Sequence, residues 1–101
     1  MAGRESRQRL DAYESIFSAL AHPARRRILH TLNFEGGTLT AGEIAEIFEH
    51  AWPTTTRHLQ VLESAGLLVC EARGRSRCYR LDRKRLELAR EWLDWFFKDP
   101  G

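Results

Sequence analysis

The segment from Thr40 to Gly66 constrains this chain more than any other, because it carries start and stop signals for two short helices. Thr40 and Glu43 have the T-x-x-E spacing of a capping box, in which each side chain binds the other residue's backbone N–H. Pro53 suits the first turn of a second helix, and Gly66 suits the left-handed residue that ends one. The segment therefore predicts two helices joined by a tight turn at residues 49–51.

A two-stranded pattern with a basic tip follows this segment directly. Residues 67–72 and 77–81 are short strand candidates on either side of a glycine-containing turn, and the tip reads Arg73-Gly74-Arg75-Ser76-Arg77. Two helices followed by a basic hairpin are the layout of a winged helix-turn-helix. In that fold the second helix can enter the major groove of DNA while the hairpin grips the flanking backbone.

Three further segments complete the predicted architecture. A helix from about residue 7 to 21 carries an apolar stripe, and Pro23 begins another helix that must end before Gly36. Residues 38–40 form a short extended piece, and Asp82 is placed to cap a last helix that runs to about residue 98. The predicted fold is a single domain over residues 1–101, mostly α with a small β-hairpin wing (α+β), with five helices.

The basic residues are clustered rather than spread evenly along the chain. The formal net charge is only +2, yet residues 73–85 hold seven Lys or Arg against one acid, Asp82. A second cluster, Arg25-Arg26-Arg27, lies earlier, and for each of its residues a salt bridge beside the core is as good an interpretation as a DNA contact. Local basic patches of this kind are the electrostatic footprint expected of a nucleic-acid-binding protein.

Several classes of protein do not fit the sequence. No segment approaches the ~20 apolar residues that span a bilayer, and residues 1–15 lack the apolar core of a signal peptide. We therefore expect a cytoplasmic protein with no membrane partner. We find no phosphate-binding glycine loop, nucleophile elbow or metal motif, so neither an enzyme nor a cofactor is predicted.

Four stretches of the chain carry a family resemblance: AHPARRRIL (21–29), LTAGEIAEIF (39–48), PTTTRHLQVLESAGLL (53–68) and RGRSRCYRL (73–81). Together they closely resemble the ArsR family of bacterial and archaeal winged-helix transcriptional repressors. The resemblance implies a homodimer built from the first and last helices (7–21 and 82–98) and bound to operator DNA of two-fold pseudo-symmetry. We expect such a dimer to repress by occluding a promoter. Residues 40–66 would be the helix-turn-helix, with the recognition helix near 51–65, and residues 67–81 the wing.

The chain differs from the family pattern at the usual metal sites and at the turn and start of the recognition helix. Metal-sensing members mostly carry Cys-x-Cys in the third helix, or His and acid ligands on the last one. Here residues 43–48 contain neither Cys nor His, and the last helix has no His. Transition metals favour imidazole or thiolate ligands, so no metal is predicted. Glu49, Ala51 and Trp52 stand where Gly, Ser and a polar residue are common, so analogy does not predict the operator sequence.

The recognition helix turns its polar side chains outward when Leu59 and Leu62 face the core. Arg57 is the strongest candidate base reader, because its fork matches guanine O6 and N7. Trp52 suits either a groove contact or internal packing. The candidate DNA contacts on this helix are Trp52, Thr54, Thr56, Arg57 and Gln60. Those on the wing are Arg73, Arg75 and Arg77, whose charge suits phosphates or a narrow minor groove.

The last helix is apolar on more than one face, which is typical of a helix packed between its own core and a partner. The aromatic residues of the first and last helices are therefore predicted to form a dimer interface. The candidates are Tyr13, Phe17, Trp92, Trp95 and Phe96. A small-molecule pocket at that interface is a lesser alternative.

The two cysteines, Cys70 and Cys78, lie on the two strands of the wing, and the register decides their geometry. A two-residue turn at Gly74-Arg75 pairs Cys70 with Tyr79 and puts the thiols on opposite faces, whereas a three-residue loop would set them opposite each other. A thiol-redox-responsive repressor is thus an alternative to a simple repressor. A winged-helix module that binds proteins without DNA is another.

Overall fold

The computed structural model describes residues 3–48 and 52–98, and the predicted turn at 49–51 lies outside them. The five helices and three strands are α1 Gly3–Leu20, α2 Pro23–Phe34, β1 Thr38–Thr40, α3 Ala41–Ile47, α4 Trp52–Ser64, β2 Leu68–Arg73, β3 Ser76–Leu81 and α5 Arg83–Asp94. The predicted winged helix-turn-helix with five helices is confirmed. Among the described residues, no helix is long and apolar enough to cross a membrane.

The junction of α1 and α2 is held by side chains of α2 that satisfy the end of α1. Arg25 Nε donates to the Ala19 carbonyl at 2.7 Å, and an Arg26 Nη donates to the Leu20 carbonyl at 2.7 Å. These carbonyls have no partner within their own helix, and a cation there also complements the helix dipole. Two arginines of the early basic cluster therefore have a structural role.

The capping box at the start of α3 is present in full. The Thr40 hydroxyl accepts from the Glu43 N–H at 3.1 Å, and Glu43 Oε1 accepts from the Thr40 N–H at 2.9 Å. These hydrogen bonds from Thr40 hold the pKa of the Glu43 carboxyl below its ordinary value. The prediction from the T-x-x-E spacing is confirmed.

The hairpin belongs to a three-stranded antiparallel sheet in the order β1-β3-β2. Residues 38–40 were expected only to be extended, yet they pair with β3, with Leu39 opposite Tyr79. The other edge of β3 pairs with β2 from Leu68↔Leu81 to Arg73↔Ser76. The sheet thus joins the segment before the helix-turn-helix to the wing that follows it.

The core lies where the helices meet the base of this sheet. Its largest fully buried members come from α1, α2, α3, α4 and the start of the wing: Ile16, Ile28, Leu32, Ile44, Leu59, Leu62, Leu67 and Leu68. α5 contributes no fully buried residue, although Leu86, Leu88 and Ala89 pack against the core. α5 therefore lies across the surface of the domain and keeps an outer face.

The first and last helices differ in extent from the prediction. α1 begins at Gly3 rather than near residue 7, and α5 ends at Asp94 rather than near 98. After Asp94 the chain continues in tight turns, with N–H groups of Trp95, Phe96 and Phe97 bonded three residues back. Asp82 caps α5 as predicted, since its side chain accepts from the Arg85 N–H at 3.1 Å.

Candidate nucleic-acid interface

Helix α4 is ended by Gly66, which has φ +80°. The Leu67 N–H donates to the Leu62 carbonyl at 3.0 Å and the Gly66 N–H to the Glu63 carbonyl at 2.9 Å. These two bonds form the motif that closes helices through a left-handed residue, and glycine adopts that conformation at little cost. The predicted end of the recognition helix is confirmed.

The two faces of α4 separate cleanly by polarity. Thr55, His58, Leu59 and Leu62 are buried, whereas the side chains of Thr54, Arg57 and Gln60 are exposed. Thr56 and Val61 are half-buried, and Val61 packs against the core. Trp52 begins the helix, but its side chain is outside what the structure describes.

His58 fixes the buried face of α4 against the start of α2. Its ring centroid lies 4.5 Å from that of His22, and its Nδ1 lies 3.5 Å from an Arg25 Nη. His22 also caps α2 by accepting from the Ala24 N–H at 3.2 Å. The position of α4 therefore depends on polar contacts with the α1–α2 junction as well as on leucine packing.

The outer face of α4 forms one wall of two open depressions. Pro53, Thr54, Thr56, Arg57 and Gln60 line the first, of about 600 Å³. Arg57 and Gln60 also line the second, of about 350 Å³, together with Ser15 and Ser18 of α1. The structure thus brings four of the predicted recognition-helix residues onto one accessible surface, next to hydroxyl groups of α1.

The wing ends in a two-residue turn at Gly74-Arg75, flanked by the pair Arg73↔Ser76. Gly74 has φ +59°, which matches the first central residue of a type II′ hairpin turn. Arg73, Arg75 and Arg77 are all exposed. The tip therefore presents three guanidinium groups to solvent.

The arginines divide by whether the protein itself uses them. Within residues 3–48 and 52–98, the side chains of Arg57, Arg73 and Arg75 make no hydrogen bond or ion pair. Arg25, Arg26, Arg83 and Arg85, by contrast, bond to carbonyl or amide oxygens. The unpaired set includes the main candidates for contact with an external anion.

The observed register places the two thiols apart. Cys70 is paired with Tyr79 and Cys78 with Glu71, so the cysteine side chains lie on opposite faces of the hairpin. Cys78 is buried and Cys70 half-buried, and both are free. Burial raises the pKa of Tyr79 above its ordinary value, and the Cys70 thiol opposite adds to this shift. The register with a three-residue loop, which would have allowed an intrachain disulfide, is therefore not the one observed.

The aromatic residues predicted for a dimer interface fall into two groups. Tyr13 is buried within the single chain, and Phe17 and Trp92 are half-buried against each other. Trp95 and Phe96 remain 59% and 69% exposed. A groove of about 440 Å³ runs between them, lined by Arg9, Leu10, Tyr13, Trp92, Trp95 and Phe96. The outer members of the predicted interface, Trp95 and Phe96, therefore offer the most exposed surface to a partner.

The sequence patterns did not identify the residues that hold α4 in place. Arg25 was grouped with a basic cluster, and Arg85 with the basic stretch after the wing. Arg85 Nε in fact donates to the Ala65 carbonyl at the end of α4, at 2.9 Å. Among the described residues, no group of three His, Cys, Asp or Glu could hold a metal ion.

Transcriptional regulators of known name are similar to this chain in sequence over most of its length and most of their own. Residues 20–71 match a family model described as a helix-turn-helix domain. The transcriptional repressor SdpR of Bacillus subtilis is 34% identical over 79 residues, which are 78% of this chain and 86% of that protein. The HTH-type transcriptional regulator Rv2034 of Mycobacterium tuberculosis is 36% identical over 84 residues, which are 83% of this chain and 77% of that protein.

Solved structures show the same fold. The ArsR family transcriptional regulator RHA00566 aligns with a TM-score of 0.75 and 31% identity, covering 83% of this chain and 84% of that one. The homodimeric winged helix-turn-helix DNA-binding domain Mb0332 of Mycobacterium bovis aligns with a TM-score of 0.70 and 25% identity, covering 91% and 84%. This chain belongs to the ArsR family of winged helix-turn-helix transcriptional regulators.

Proposed function

We propose that two copies of this chain pair through α1 and α5 and repress transcription by occluding a promoter on an operator of two-fold pseudo-symmetry. The observation that carries this proposal is the outer face of α4, where Arg57 is exposed and unpaired among the described residues. The opposite face is buried on the core. A helix held in this way presents a fixed set of polar groups to a groove.

Each element of the interface has a distinct task in this proposal. α4 enters the major groove, where Arg57 forms a bidentate pair with guanine and Gln60 reaches a base edge. Thr54 and Thr56 contact phosphate or a thymine methyl. Arg73, Arg75 and Arg77 hold the flanking backbone or the minor groove, which fixes the register of the protein on the duplex.

Dimerisation places the two reading helices on one side of the assembly. The exposed aromatic side chains of Trp95 and Phe96 on the turns after α5 supply the apolar surface that a partner covers. The Mycobacterium bovis relative is a homodimer. Two-fold symmetry then requires half-sites about one helical turn apart, ~34 Å, or a multiple of it.

A footprint and a salt titration test the proposal together. Purified protein is footprinted on the DNA upstream of its own gene, and the affinity for the protected fragment is measured against salt concentration. We expect a protected site with two-fold character and a log–log slope near −0.9 per neutralised phosphate. A flat salt response with no protected site would instead favour a protein-binding module and overturn the repressor.

A further inference from the structure

Arg85 joins the first turn of α5 to the last turn of α4. Its Nε donates to the Ala65 carbonyl at 2.9 Å. The final carbonyls of a helix have no partner within that helix, and their partial negative charge favours a cation. Arg85, on α5, thus supplies the hydrogen-bond donor for a carbonyl at the end of α4, although α5 begins only at Arg83.

Gly66 leaves the space through which the Arg85 side chain passes. A Cβ at position 66 would lie 2.8 Å from Nε, 3.2 Å from Cδ and 3.3 Å from Cγ of Arg85. Any residue larger than glycine would therefore displace this side chain. The glycine has a second task beyond its left-handed backbone, since it lets the stem of Arg85 lie flat on the end of α4.

A second pair of hydrogen bonds fixes the same junction. The Asp82 N–H donates to the Leu67 carbonyl at 3.0 Å, and the Asp82 side chain accepts from the Arg85 N–H at 3.1 Å. The start of α5 is thereby tied to residues 65–67 through both backbone and side chain. Because the guanidinium is planar and its stem is packed, the contact restrains direction as well as distance.

We propose that Arg85 is a positioning residue that sets the angle between α5 and α4, and thereby the half-site spacing that the dimer accepts. The inference rests on the proposed function, in which α5 lies at the dimer axis and α4 reads DNA. A change in this angle moves the two reading helices of the dimer relative to each other. Arg85 then governs discrimination between spacings without touching a base.

The test compares two operators, one with the footprinted spacing and one with a single base pair inserted between the half-sites. The insertion moves the half-sites apart by ~3.4 Å and rotates them by about a tenth of a turn. We expect the wild type to lose about tenfold in affinity on the insertion, and Arg85→Met to lose about threefold or less. Lys84→Met is the matched control, because it removes a neighbouring exposed cation and should keep the wild-type discrimination.

A second pair of variants reaches the same contact from the other side. Gly66→Ala displaces Arg85 and should reduce spacing discrimination as Arg85→Met does. Gly36→Ala is its control, because Gly36 ends α2 with φ +90° and nothing lies within 4 Å of a Cβ there. It shares the backbone strain but not the contact. Arg85→Lys, which keeps the charge and most of the stem, replaces Arg85→Met if the latter fails to fold.

The outcomes separate the inference from the function beneath it. Wild-type discrimination in Arg85→Met and Gly66→Ala, with operator binding intact, overturns the role of Arg85 alone. A general loss of affinity with unchanged discrimination also overturns it, because that result reflects stability rather than positioning. Failure of the wild type to bind any operator overturns the proposed function and this inference together.

Discussion

Phe17 of α1 and Trp92 of α5 pack edge to face, with ring centroids 4.9 Å apart. Trp92 in turn contacts Phe96, at 4.8 Å between centroids. The row of rings starts inside the domain and ends at a side chain that is 69% exposed. It therefore links the packing of one chain to the surface proposed for dimerisation.

The Phe17–Trp92 pair should contribute measurable coupling to stability. A double-mutant cycle with Phe17→Leu and Trp92→Leu is expected to give a coupling free energy of about 0.5–1.5 kcal/mol beyond the lost apolar area. Urea unfolding at a fixed protomer concentration measures it, because dimerisation makes apparent stability depend on concentration. The pair Phe17 and Phe97 serves as the control, with coupling near zero.

Removing the exposed end of the aromatic row should give a folded monomer. Trp95→Ser with Phe96→Ser leaves the buried core intact, so helical content should stay the same while sedimentation shows one chain. Phe34→Ser is the matched control, because Phe34 is 86% exposed at the end of α2 and is not part of the aromatic row. A double variant that remains fully dimeric would contradict the assignment of this surface.

Arg57 and Arg75 should affect DNA binding in different ways. Arg57→Ala is expected to weaken binding to the cognate operator by ~1–3 kcal/mol and to relax base preference at one position. Arg75→Ala should weaken binding to all sequences alike and lower the salt slope by about one. Competition assays with operator and random DNA distinguish the two. Arg27→Ala, an exposed cation on α2, is the control, and equal effects from all three would disprove the docking arrangement.

The capping box predicts a defined response to acid. Hydrogen bonds from Thr40 lower the pKa of Glu43 in the folded state from its ordinary 4.5. The stabilisation is therefore present above that value and is lost as pH falls through the lowered pKa. Thr40→Ala should cost about 1 kcal/mol at neutral pH. Glu43→Gln should flatten the acid limb of the curve of unfolding free energy against pH.

The wing cysteines should not form an intrachain disulfide. The register places their side chains on opposite faces of the hairpin, so treatment with diamide should leave both thiols titratable in the monomer after denaturation. DNA affinity should be the same with and without oxidant. A mass loss of two hydrogens within one chain, absent in Cys70→Ser, would show that the hairpin changes register.

Local signals in the sequence predicted the elements that local chemistry determines. The Thr40/Glu43 box, the left-handed Gly66 and the cap at Asp82 involve atoms at most five residues apart, so spacing alone identifies them. The hairpin register was left open between two turns, because both fit the same residues. The structure resolves it through the strand pairing, which runs to Arg73↔Ser76 and leaves a two-residue turn at Gly74-Arg75.

Contacts between distant segments were beyond the reach of the sequence pattern. The pairing of β1 with β3, the bond from Arg85 to Ala65 and the ring contact of His22 with His58 join residues 20 or more positions apart. The sequence pattern around a clustered basic residue does not show whether its side chain bonds to the end of a helix or faces solvent. The early end of α5 was missed because apolar residues continue past Asp94, although they lie on turns and remain exposed.

The two edges of β3 pair with the strands that come directly before and after the helix-turn-helix, β1 and β2. Thr40 lies opposite Cys78 on one edge, and Leu68 lies opposite Leu81 on the other. The segment between them, residues 41–67, therefore begins and ends next to the same strand, β3. Such a segment can be exchanged as a unit. A graft that keeps Gly66 and the buried positions Ile44, His58, Leu59, Leu62 and Leu67 should change the DNA sequence that is bound, while the sheet, α1 and α5 stay as they are.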